Sequence, residues 1–267
     1  MAGLSISRAW DDTKALLRRD GRLYLIVALA LFVVPGVIAE LVTPATPAGQ
    51  LPAPSVWTVL SILALLISLI GQLAVCRLAL GPVVSVGEAI RHGARRAPAY
   101  VGAAAIWILP FLLLFSLLAA RAGSNPQTMP PGVALAMLAL LIAFVAIAVR
   151  LILGSPIASA EPLGPVGILK RSWALTKGRW LKLFGFLLLF VIALGIATFA
   201  IAAVIGSLAT LLFGELEPLS VGTLLLSLAT QIVGAILTTL LMIMLARIYA
   251  QLVGVGQGAT TSVPHAP

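Results

Sequence analysis

Long apolar runs alternate along this chain with short segments rich in arginine, lysine and tryptophan. Six runs, at about 23–42, 57–80, 100–120, 133–153, 184–213 and 219–253, are long enough as helices to cross roughly 30 Å of hydrocarbon. A helix of about 30 residues measures about 45 Å. The last two runs therefore tilt, protrude, or break near Gly206-Ser207. Pro35-Gly36 predicts a kink in the first span. The connection after that span, TPATPAGQLPAP, carries no charge, and the polar tail 256–267 is predicted to be disordered.

Three basic segments, 4–20, 85–97 and 164–181, each precede a pair of spans. In the first, Ala9, Trp10, Thr13, Leu16 and Leu17 share one helical face, and Arg8, Asp11, Asp12, Lys14 and Arg18 cover the other. In the third, Val166, Leu169, Trp173, Thr176 and Trp180 recur at helical spacing, with Lys170, Arg171 and Lys177 on other faces. Amphipathic helices of this kind lie in the headgroup layer, with Trp10, Trp173 and Trp180 as interfacial anchors.

The segments are related to one another. Arg8, Trp10, Thr13 and Lys14 reappear as Arg171, Trp173, Thr176 and Lys177, an R-x-W-x-x-T-K pattern, and the middle copy aligns Arg91 with Arg171. The second and fourth spans end in similar RLALGP and RLILGSP strings containing Arg77 and Arg150, and Arg247 sits near the end of the sixth. The expected fold is an all-α integral membrane protein forming a single domain over 1–267. It has six transmembrane helices arranged as three units of interfacial amphipathic helix plus helical hairpin. All units share one orientation, unlike the inverted repeats of many transporters.

Composition agrees: 61% of residues are hydrophobic and 9% charged, against about a quarter charged in soluble domains. The net charge of +9 comes from bases placed beside apolar spans, so it speaks for topology and anionic lipid headgroups and against nucleic acid. All 17 basic residues except Arg121 fall on the side that holds the N-terminus. The positive-inside rule then predicts cytoplasmic N- and C-termini in a bacterial-type inner (plasma) membrane. The first run, preceded by a long n-region with Asp11, Asp12 and Asp20, reads as a retained span rather than a cleaved signal. Cys76, within a span, reads as a small apolar residue, and as the only cysteine it has no intrachain disulfide partner.

Residues for catalysis are sparse. His92 and His265 lack a second histidine at metal-ligand spacing, and the carboxylates Asp11, Asp12, Asp20, Glu40, Glu88, Glu161, Glu215 and Glu217 scatter over both faces. No catalytic, metal or cofactor-binding residue is read, and no cofactor is expected. Arg77, Arg150 and Arg247 have two readings. They snorkel to the headgroups and set helix depth, or they converge beneath the basic helices and bind a lipid phosphate or another anion. The candidate headgroup contacts are Arg77, Arg150, Arg247, Arg171, Lys177 and Arg179. Gln72 and Gln231, mid-span, read as helix–helix hydrogen bonds, and Thr230, Gly234 and Thr238 as a close-packing ridge.

Three stretches, ISRAWDDTKALLRRDGRLYLI, SVGEAIRHGARRAP and SPIASAEPLGPVGILKRSWALTKGRW, together resemble the membrane domain that accompanies some bacterial glycerophosphoryl diester phosphodiesterases. The resemblance implies a six-span module found fused to a catalytic domain or alone. That catalytic domain needs a His-Arg-Gly motif, whereas Arg91, His92 and Gly93 stand in another order, so no enzymatic residue carries over. The expected function is a non-catalytic membrane module, a lipid-associated anchor or scaffold for a protein partner. The alternative is a transporter or flippase-like protein for an anionic amphiphile, with a polar cavity near Gln72 and Gln231.

Overall fold

The computed structural model describes residues 4–42, 56–81, 84–122, 130–214 and 220–254. The TPATPAGQLPAP connection, Glu215 and Glu217, and the tail 256–267 lie outside these residues. Among the described residues every regular element is helical, and six helices are long and apolar enough to cross a membrane.

Helix α1 (Ile6–Ala28) starts at Ser5, whose hydroxyl accepts the Arg8 amide. It bends at Asp20 (φ −124°, ψ 16°), between its basic segment and its apolar one. A π-helical turn, Leu29–Val33, joins it to α2 (Val34–Val42). The turn has a local cause. Pro35 donates no amide hydrogen and its ring crowds the carbonyl four residues back, and widening the preceding turn relieves that crowding. The disturbance expected at Pro35-Gly36 is thus placed one turn earlier.

Helix α3 spans Val56–Leu80 and α4 spans Val86–Ala122. Ser85 and Glu88 form a capping box at the start of α4, with the Ser85 amide donating to the Glu88 carboxylate at 3.0 Å and the Glu88 amide to the Ser85 hydroxyl at 3.3 Å. From there α4 runs unbroken through Pro98 and Pro110. The basic segment 85–97 is therefore the opening of the same helix that forms the span 100–120, and not a separate interfacial helix. Helices α5 (Pro131–Leu151), α6 (Gly154–Ala160), α7 (Pro165–Thr176), α8 (Trp180–Phe213) and α9 (Val221–Val253) follow. The third basic segment is divided. Gly178, with φ 76°, turns the chain after α7, so Trp180 already belongs to the span helix α8. Helix α8 passes through Gly206-Ser207 without a break, and its 34 residues make it about 51 Å long.

The six long helices fall into two groups. In α1–α2, α3 and α9 a third of the most apolar stretch (33%) is buried, whereas in α4, α5 and α8 only 6% is. The first three form an inner group and the others stand outside it. Close packing in the inner group uses small residues. A methyl on Gly71 of α3 would meet Phe32 Cε1 at 2.8 Å and Leu31 Cβ at 2.9 Å. Where α3 meets α4, a methyl on Gly93 would stand 2.7 Å from the Ile70 carbonyl oxygen, so the two backbones touch only because Gly93 has no side chain.

Candidate functional site

One side of the bundle collects the start of α1, the end of α3, the start of α4, the α5–α6–α7 region, the start of α8 and the end of α9. Side-chain hydrogen bonds tie these ends together. The Ser5 amide donates to Gln251 Oε1 at 3.2 Å, joining the two ends of the chain's helical part. Every arginine and lysine among the described residues except Arg121 belongs to this side.

The centre of this side is α6, a run of small residues buried from Gly154 to Ser159. A helix placed so deep needs partners for its end carbonyls, and α4 provides them. Arg96 donates through Nε to the Ala158 carbonyl (2.8 Å) and through Nη2 to the carbonyls of Glu161 and Leu163. His92 Nε2 lies 2.8 Å from the Ser159 carbonyl. Arg96, as a cation at a helix C-terminus, is also favoured by the helix dipole. The Ser159 hydroxyl donates to the Leu73 carbonyl of α3 at 3.1 Å and the Ser155 hydroxyl to Met242 Sδ of α9 at 3.6 Å, so the buried hydroxyls of α6 are spent on neighbouring helices.

The link after α6 carries Glu161. Its Oε1 accepts both Arg171 Nε (3.0 Å) and the Tyr249 hydroxyl (2.7 Å), coupling α7 and α9 to α6. On α7 the buried stripe is Ile168, Ser172 and Thr176, while Val166 and Trp173 face outward. The face read from sequence as Val166, Leu169, Trp173, Thr176 and Trp180 is thus divided between exposed and buried positions. The hydroxyls of Ser172 and Thr176 both donate to the Arg150 carbonyl, at 2.9 and 3.1 Å, and so hold the end of α5.

The six candidate arginines and lysine have different surroundings. Arg171 is occupied by Glu161, and Arg179 Nη1 donates to the Leu175 carbonyl at 3.4 Å near the end of α7. Arg77 lines a polar cleft with Glu88, Arg91, His92 and Arg95. Arg150 lies 5.2 Å from the centre of the Trp173 ring and lines a separate cleft of about 610 Å³ with Lys170 and Lys177. Its Nη1 is buried without a hydrogen-bond partner, as is Arg247 Nε on α9. Arg77 and Arg150 thus open into different clefts.

The tryptophans also differ. Trp10 is 42% exposed, with Lys14 Nζ 6.0 Å from its ring centre, and Trp173 is 47% exposed. Trp180 instead donates its indole hydrogen to the Ala146 carbonyl at 3.2 Å and stacks on Phe184, pinning α8 to α5. Gln231 packs against Gly36 and donates to Glu40 Oε2 at 3.1 Å, a hydrogen bond between α9 and α2. Cys76 is fully buried, 4.0 Å from the Met242 carbonyl.

Sequence reasoning passed over Arg96, Glu161, Ser172 and Tyr249. The available signal was the small-residue run from Gly154 to Ala160 followed by Glu161: two serines and a carboxylate between two long apolar helices require fixed partners. No group of three or more histidine, cysteine or acidic residues placed to hold a metal occurs among the described residues. No curated protein and no solved structure matches this chain. A family does match, over residues 4–252, and its description makes no connection to glycerophosphoryl diester phosphodiesterases. With nearly the whole helical part of the chain covered, the protein belongs to that family, a domain of unknown function (DUF7847).

Proposed function

We propose that this protein is a non-catalytic, multi-pass module of a bacterial-type inner membrane, with both ends cytoplasmic. Its basic side engages anionic lipid headgroups, and the module serves as an anchor or scaffold for a partner. The observation that carries the reading is the division of labour among the bases. Arg96, Arg171 and Arg179 are taken up by carbonyls or Glu161, while Arg8, Arg18, Arg91, Arg95, Lys170, Lys177 and Lys182 remain exposed around them, as does Lys14 beside Asp11. A rigid polar centre ringed by exposed cations suits a surface that docks on headgroups. The threefold unit belongs to the same reading. Aligned positions of the basic segments, His92 with Ser172 and Arg96 with Thr176, bond the carbonyls that end α6 and α5 respectively. Thr13, at the corresponding place in the first copy, is fully buried, as Thr176 is. The likeness to membrane domains of glycerophosphoryl diester phosphodiesterases fits a membrane module of this kind. The transporter alternative is less favoured, because Gln231 is occupied by Glu40 and packed on Gly36.

The test is the lipid and protein that co-purify with the intact chain. The wild type should retain anionic phospholipid above its share of the membrane. Arg8→Gln, Arg18→Gln, Arg95→Gln and Lys182→Gln together should return retention to that share and reduce partner recovery. Unchanged lipid and unchanged partner recovery would overturn the proposal.

A further inference from the structure

We infer that the cleft between the end of α5 and α7 is a defined site for one phosphate group, with Arg150 as its central donor and Lys170 and Lys177 at its rim. The inference rests on the proposed headgroup association and narrows it to one place and one chemistry. Three observations carry it. First, the Arg150 guanidinium lines the cleft and, with its Nη1 itself buried, donates to no protein oxygen among the described residues, whereas the neighbouring guanidinium groups on Arg96 and Arg171 are each matched to carbonyl or carboxylate oxygens. A guanidinium edge of this kind is the donor geometry that phosphate oxygens accept.

Second, the cleft is charged in one sense only. Its lining combines Arg150, Lys170 and Lys177 with the apolar Leu151, Leu169 and Ala174, and contains no carboxylate. The comparable cleft at Arg77 includes the carboxylate of Glu88. The mixed lining fits a phosphate that carries an apolar tail. Third, the walls are fixed before any ligand arrives. Ser172 and Thr176 hold the Arg150 carbonyl, and the Trp173 ring lies against the guanidinium, so little ordering is left for binding to supply.

The shared chemistry is a phosphate anion, from a lipid headgroup or free in solution. The intact protein in neutral detergent would be titrated with phosphatidylglycerol, phosphatidylcholine and inorganic phosphate, and adducts counted by native mass spectrometry. The wild type should show one saturable phosphatidylglycerol adduct that phosphatidylcholine does not replace. Arg150→Gln should weaken it at least tenfold, Arg150→Lys should restore part of the loss, and Arg22→Gln, at an exposed position of α1 outside the cleft, should leave it unchanged. Binding of inorganic phosphate with the same dependence on Arg150 would support the site and assign its source to solution. If Arg150→Gln lowers the melting temperature, the double variant Lys170→Gln/Lys177→Gln decides, since both side chains are exposed and it should weaken the adduct comparably. Equal weakening by Arg150→Gln and Arg22→Gln would overturn this site while leaving general lipid association standing. No preference for anionic lipid or phosphate in the wild type would end both readings.

Discussion

The inner helices α1–α2, α3 and α9, with mean hydropathy 2.1–2.5, and the outer helices α4, α5 and α8, with 2.4–2.9, are all apolar enough to cross a membrane but are used differently. The inner three carry fully buried residues such as Val27, Leu73, Ile243 and Ile248, and meet through positions without side chains. The outer three present Leu113, Leu135, Leu189, Phe199 and Leu211 outward. Hydropathy distinguishes them poorly, with overlapping ranges, because lipid tails and a protein interior ask for the same side chains. Polar contacts on one side of the bundle do. There Arg96, Ser172, Thr176 and Trp180 tie α4, α5 and α8 to their neighbours, while along the rest of their length α4 packs on α3 and α8 on α9 and their other faces are exposed.

That difference can be broken at its strongest point. Arg96→Leu removes three charge-assisted donations to the carbonyls around α6 and leaves those oxygens buried, which should cost about 3 kcal/mol. Thermal unfolding in detergent should show the loss, and Arg96→Lys should recover only part of it, because an ammonium lacks the planar fork. Next in size is Gly71→Ala on inner α3. The new methyl meets Phe32 and Leu31 inside ordinary contact distance and should cost about 1–3 kcal/mol as overpacking. The same substitution on outer α8, Gly195→Ala, meets nothing within 4 Å and should instead stabilise by about 0.5–1 kcal/mol through helix propensity. Opposite signs for one chemical change would sharpen the comparison, and equal signs would break it.

Smaller effects follow. Tyr249→Phe removes the hydroxyl that Glu161 accepts and should cost about 1 kcal/mol. Its effect should shrink in a Glu161→Gln background, where a double-mutant cycle reads the coupling. Leu189→Ala, on the lipid-facing side of α8, should change stability by no more than about 0.5 kcal/mol.

Much of this architecture was visible in the sequence, and the reasons are physical. A bilayer accepts only long apolar helices, so run length located α3, α5, α8 and α9 to within a few residues. Where the amphipathic segments end was less visible. Asp20 does bend the chain between the first segment and its span, but Pro98 does not, because Ala94, Ala97 and Ala99 around it favour helix and the chain simply continues. Gly178 ends α7 earlier than the tryptophan spacing suggested. For the site, the cations were legible and their occupants were not. Charge counting treats Arg96, Arg150 and Arg171 alike, and only the fold shows that two are matched to oxygens and one has a buried nitrogen without an acceptor. Glu161 reads from sequence only as one of the scattered carboxylates, because a lone carboxylate gains meaning only when Arg171 and Tyr249 are brought to it from either side.

The account depends above all on the basic side lying in the cytoplasmic leaflet, where anionic lipid and a cytoplasmic partner would meet it. Single-cysteine variants at exposed positions, Lys14→Cys, Arg95→Cys and Lys177→Cys on the basic side and Arg121→Cys on the other, test this with a membrane-impermeant thiol reagent in intact cells, in a background where buried Cys76 is replaced by alanine. Arg121→Cys should label in intact cells and the other three only after permeabilisation. Labelling of any of those three from outside would contradict the account.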